Sequence, residues 1–254
     1  MRSCLFCLAP ANSLEDAWPQ WITKQFKGRR PSEVHAERGG KKLKPWRTLQ
    51  PELTIRCVCR GCNNGWMSQL EQAAQPVLQP LIAGQSVSLD ETGQAVVARW
   101  AVKTAMVLEA VDPREKRIYE AAQCARFRAC GAIPWRTTIW LAASVDSASF
   151  MSTKNRHLGE PAHEIVGAST TMAFGHIAIQ VLTMQVPEDV GPQTVVTTMV
   201  RRGPWDQLTR QVWSTRAPVT WPPAMGVSGE EGLDAFADRF SAVGHDGPID
   251  TMAV

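Results

Sequence analysis

The chain has one tyrosine, few histidines, no internal repeat and no low-complexity tract outside its last residues. No apolar run approaches the ~18 residues that span a bilayer, because charges interrupt the longest ones, as in Trp100-Ala101-Val102-Lys103. The amino terminus has no charged region followed by a long apolar core, so no export signal is expected, and seven cysteines then belong in a reducing cytoplasm. No βαβ pattern flanks the cysteines, which argues against a thioredoxin-like redox motif. The 44% apolar content is ample for a core, and 254 residues allow one large domain or two small ones.

Two cysteine pairs, Cys4-x-x-Cys7 and Cys59-x-x-Cys62, lie either side of a long insert. Four thiolates so spaced can close a tetrahedral zinc site, and a disulfide is the rival reading. Cys57 is an alternative ligand to Cys59 if the strand register differs, whereas Cys124 and Cys130 read as ordinary thiols.

The net charge of +3 is unevenly spread. Ile22 to Arg60 carries eleven Lys and Arg against three Glu, a local balance of +8. Such a segment attracts phosphates, which makes nucleic acid the expected partner and Lys41, Lys42, Lys44, Arg47 and Arg60 the candidate contacts. The plain alternative is a solvated loop around Gly39-Gly40. The last thirty residues are acidic, suggesting a short helix from Glu230 to Ala242 and a loose tail.

Periodicity predicts one helix starting after Asn64 or Gly65, which Pro76 and Pro80 break or bend in its continuation, then a second over Gln94–Val111. Strands are expected over Arg136–Ala143, Ala168–Phe174, His176–Val186 and Gln193–Arg201, the last two joined by a Pro187–Pro192 loop. The expected organisation is α+β: a zinc-bound module over 1–90, a strand-rich region over 91–225, and an acidic helix and tail over 226–254. Trp18, Trp21 and Trp66 read as core. Trp135, Trp140, Trp205, Trp213 and Trp221, often beside Arg, admit a pocket for a planar or anionic small molecule, although packing explains them equally.

The window Ser13-Leu14-Glu15-Asp16-Ala17-Trp18-Pro19, taken with Cys59-Arg60-Gly61-Cys62-Asn63-Asn64-Gly65-Trp66, resembles the zinc-stapled HNH endonuclease family over about residues 1 to 75. The resemblance implies a ββα-metal fold, a structural Zn²⁺, a catalytic Mg²⁺ or Mn²⁺ and phosphodiester hydrolysis. Position by position, Glu15 matches the family's acidic ligand and Asn63 its helix-side ligand, while Asp16 stands where the general-base His should be. An unperturbed carboxylate is a far poorer base than imidazole near neutrality. Either Asp16 is lifted in pKa, or His35 supplies the imidazole, or the site keeps only binding. The family's middle Asn has no counterpart between Thr48 and Cys59. Without metal, Ser13 to Asp16 reads as a helix N-cap with its acidic first turn, and Asn63-Asn64-Gly65 as the turn closing the knuckle. His157, His163, His176 and His245 have no ligand-like spacing, though Arg156-His157 near Glu160 and His163 could contribute to a cleft. The competing functions are an endonuclease or divergent relative, a small-molecule enzyme on the same frame, and a non-catalytic zinc-dependent nucleic-acid-binding protein.

Overall fold

A computed structural model describes residues 2–26, 54–112, 117–145, 151–160, 165–185 and 205–240, with the backbone of short strands between 32 and 48 and at 251–253. The order begins β1 (Ser13–Asp16), α1 (Gln20–Phe26), β2 (Ser32–Val34), β3 (Glu37–Arg38), β4 (Lys41–Lys42), β5 (Trp46–Thr48) and β6 (Thr54–Val58). It continues with α2 (Arg60–Cys62), a wide π turn (Asn63–Met67), α3 (Ser68–Ile82), β7 (Val87–Leu89), α4 (Glu91–Glu109) and α5 (Ala121–Cys130). Next come β8 (Thr137–Val145), β9 (Met151–Glu160), β10 (Ile165–Phe174), β11 (Ile177–Gln185), α6 (Trp205–Leu208), β12 (Thr209–Trp213) and β13 (Val219–Trp221). The chain closes with β14 (Met225–Ser228), α7 (Gly229–Asp238) and β15 (Thr251–Ala253). The α+β class is as expected.

The main sheet runs β15-β14-β8-β11-β10-β9, with β12 also pairing β8. Its strands alternate between two cores. Ile139, Leu141, Met172, Phe174, Ile177, Ile179 and Val181 face one side and join a core that runs from Cys4 to Trp221. Ala142, Ala173 and Ala178 face the other, beneath Leu233 and Phe236 of α7. Burial on both faces explains why β8 and β11 read as largely apolar runs, whereas β10 also buries Ser169, Thr170 and Thr171. Helix α4 lies between the sheet and α3, and Val97 and Trp100 through Ala110 are all buried.

Three sequence expectations need correcting. Of the break or bend expected at Pro76 and Pro80, the break does not occur: α3 is continuous over Ser68–Ile82. Pro76 is exposed and Pro80 half-buried, so the carbonyls left without a donor one turn earlier lie toward water. Ser13 to Asp16 is a strand rather than a helix start, and its ladder with β6 takes up the backbone groups a cap would have served. Strand β9, polar in sequence, was not anticipated; Lys154 and Arg156 on it pair with Asp234 and Asp238 of α7 at a partly solvated surface. The expected C-terminal helix is α7, shorter by a turn. The Gln193–Arg201 strand, the Pro187–Pro192 loop and the acidic tail over 241–250 fall outside the described residues.

The hairpin β10–β11 is tied to the end of α3. His176 N–H donates to the Ile82 carbonyl at 3.0 Å and the His176 carbonyl accepts from Ser144 N–H at 2.9 Å. Gly175 makes the approach possible: its φ is +60° and a Cβ there would lie 2.6 Å from the Ile82 carbonyl oxygen. Gly175→Ala is therefore expected to cost about 1–3 kcal/mol, read as a lower urea midpoint at unchanged slope.

Candidate metal centre and the buried charge beside it

Each cysteine pair sits on a tight turn that aims both sulfurs inward. In the first, Leu8 takes a left-handed conformation (φ 63°), its N–H donating to the Cys4 carbonyl at 3.1 Å. Leu5 N–H then donates to the Cys57 carbonyl at 2.8 Å, joining the turn to β6. In the second, Cys59 caps α2, its Sγ accepting from Cys62 N–H at 3.4 Å. The four sulfurs of Cys4, Cys7, Cys59 and Cys62 all lie within 4.8 Å of one another, with Cys7 and Cys59 3.5 Å apart. Thiolates each about 2.3 Å from one tetrahedral ion would be about 3.8 Å apart, so the cluster could hold a metal ion. No disulfide joins any of them.

Burial pushes the Cys7 and Cys62 thiols up. Burial also opposes the Cys59 thiolate, but the Cys62 N–H and the neighbouring thiols outweigh it and bring Cys59 down to about 7. Cys57, the alternative ligand, is not in the cluster. It sits buried on β6, where desolvation first, and then the Glu15 charge, push its thiol up to about 12.

The expected hard-ion ligands each meet other groups of the chain. Alternation along β1 turns Glu15 inward while Leu14 is exposed. Glu15 is 3% exposed, and its Oε1 accepts from Lys103 Nζ at 3.2 Å. Lys103, fully buried at the middle of α4, also donates to Glu71 Oε1 of α3 at 2.9 Å. One ammonium thus joins β1, α3 and α4. Asn63 points its amide nitrogen at β1, donating to Ser13 Oγ at 2.9 Å and the Leu14 carbonyl at 3.0 Å. Asp16 Oδ2 accepts from Gln20 at 3.5 Å. A hard divalent ion needs several oxygens to itself at 2.0–2.6 Å. With Glu15 paired to an ammonium and Asn63 spending only its amide N–H groups on β1, the acidic anchor of such an ion already has a cation beside it.

Burial, ahead of the attraction of Lys103, raises the Glu15 pKa. For Lys103, burial works against the ammonium, but Glu15 and then Glu71 overcome it and the pKa rises. A lysine raised in the folded state stabilises fully below the ordinary lysine range, and that contribution is lost as pH rises through the folded value.

Arg60 is exposed, its N–H donating to Asn12 Oδ1 at 2.9 Å. Lys41, Lys42 and Arg47 are described in backbone only, within β4 and β5, while His35 and Lys44 fall outside the described residues. Sequence reasoning missed Lys103 and Glu71. The signal was available: a lone cation within an apolar helical run has to find a buried anion.

No family model matches the chain, and neither the curated proteins nor the solved structures contain a match to it.

Removing the ammonium leaves two carboxylates facing each other, one fully enclosed. Lys103→Met should destabilise the protein by about 3–5 kcal/mol at neutral pH, measured by chemical denaturation. The double variant Lys103→Met/Glu15→Gln should recover much of the loss, and the variants should lack the fall in stability that the parent shows at strongly alkaline pH.

Proposed function

We propose that this chain is a zinc-dependent nucleic-acid-binding protein built on an HNH-like ββα frame, in which the family's hydrolytic centre is not assembled. What supports the kinship is the order of parts: a first cysteine pair, β1, a basic insert, β6 antiparallel to β1, a second cysteine pair and a helix. What supports zinc is a donor set of four sulfurs. The observation that carries the loss of hydrolysis is the Lys103–Glu15 ion pair, which gives the acidic residue a permanent cation within the protein. Asp16 in place of imidazole agrees with it, since a carboxylate is a poor base for activating water at neutral pH.

Binding then rests on charge. The basic insert leaves and re-enters through the β1–β6 ladder, and Arg56 and Arg60 lie exposed at its return. Such a surface holds phosphates by releasing condensed counterions, without base contacts of its own.

A fluorescence titration of a labelled DNA or RNA duplex should give an affinity that falls steeply with salt. Replacing Lys41, Lys42, Lys44 and Arg47 by alanine should flatten the logarithmic salt slope by about one unit for each phosphate no longer neutralised. No cleavage is expected with added Mg²⁺ or Mn²⁺. Cutting that depends on either ion and disappears in Glu15→Ala or Asn63→Ala would show instead that the chain is a nuclease, and a salt-independent affinity would remove the polyanion reading.

A further inference from the structure

A groove of about 260 Å³ lies where the first turn of α3, the middle of α4 and the end of α5 meet. Ring packing sets it against the cysteine turns. The Trp66 ring, one wall of the groove, lies edge-on 4.9 Å from Phe6 between Cys4 and Cys7, and 5.8 Å from Phe127 of α5. Gly131 ends α5 in a left-handed conformation (φ 67°), and the Arg99 side chain crosses it so closely that a Cβ there would lie 2.9 Å from the guanidinium carbon. The guanidinium of Arg99 is thereby laid along the groove.

The charges of the lining are Arg99 and Arg128, both exposed, and no carboxylate stands among them. Neither guanidinium joins an ion pair among the described residues. Lys103, one turn further along α4, shows the contrast: it meets two carboxylates, whereas Arg99 meets none. Two guanidiniums on one small groove repel, and an anion between them would remove the repulsion and accept their N–H groups, which match the paired oxygens of a phosphate. The volume falls below the ~300 Å³ at which small-molecule pockets begin, so the groove suits one anionic group rather than a ring-bearing ligand. Its open, exposed arginines suit a group carried on an extended chain. Trp66 also follows closely on Arg60, roughly 10 Å along the helical path and about one Debye length at 0.1 M salt, so the groove continues the basic surface at which the insert returns.

We propose that Arg99 and Arg128 clamp one phosphate of a nucleic-acid backbone, so that the bound polymer runs from the basic insert across the start of α3 onto the α4–α5 surface. This inference rests on the polyanion reading and adds to it a contact outside the insert.

The salt dependence of duplex DNA binding by the full chain, followed by fluorescence titration, tests it. Arg99→Gln/Arg128→Gln should keep the parent's urea midpoint, since both positions are exposed, and should flatten the logarithmic salt slope by about one unit, the loss of one neutralised phosphate. Arg126→Gln removes a charge from an exposed position of the same helix outside the groove and should leave the slope unchanged. Inorganic phosphate should show no submillimolar affinity in calorimetry. A parent that binds DNA while the double variant keeps its slope, or an Arg126→Gln variant that flattens the slope equally, would overturn the clamp and leave the reading of the insert standing. Saturable submillimolar binding of inorganic phosphate would mark a free-anion site and overturn it as well, and a parent that binds no duplex would remove both.

Discussion

The meeting of four sulfurs is the constraint on which the first part of the structure depends. Cys7 and Cys59 are 52 residues apart in sequence. Closing a flexible loop of that length costs about 3.5 kcal/mol beyond a constant term. The β1–β6 ladder is only a few residue pairs long and is interrupted by a bulge between Ser13 and Glu15, so it is a weak device for holding such a loop shut. A metal ion bound to both cysteine pairs would supply the closure, since binding to a site absent from the unfolded chain adds directly to folding free energy. Such an ion would also fix the ladder, and with it where Glu15 and Asn63 point.

The Glu15–Lys103–Glu71 group ties β1 and α3 to α4. Ions this close in a dry interior attract strongly, but stripping them of water costs several kcal/mol each, so the group adds little net stability. Its effect is on arrangement. Lys103 can be buried on α4 only if β1 and α3 bring their carboxylates to it, which locks the knuckle against the helical layer and the sheet behind it. The same ion pair gives Glu15 a cation within the protein. On the reading proposed above, one lysine from outside the motif would turn an HNH-like frame toward holding rather than cutting.

What could be read in the sequence follows the range of the interaction. The cysteine pairs were legible because spacing alone brings thiols into reach, and β8, β10 and β11 because runs of that length rich in Thr, Val, Ile and Trp between Gly and Pro turns suit strands. Cys57 and Cys59 could not be ranked as ligands without the register of β6. The integrity of α3 through Pro76 and Pro80 was hidden because it depends on which side of the helix meets water. Lys103 was visible only as an interruption of an apolar run; its partners lie 88 and 32 residues away in the chain. Glu15 and Asn63 looked like a ligand pair because they match a motif, and only the fold shows one amide turned onto β1 and one carboxylate turned into the core.

X-ray absorption at the zinc edge of the purified, unchelated protein addresses the central claim directly. The account predicts one tightly held ion per chain with four sulfur neighbours at about 2.3 Å and no oxygen or nitrogen in its inner shell. A protein that is folded, with β1 protected against hydrogen exchange, yet holds no metal, or whose ion has fewer sulfurs and light-atom ligands in their place, would contradict it.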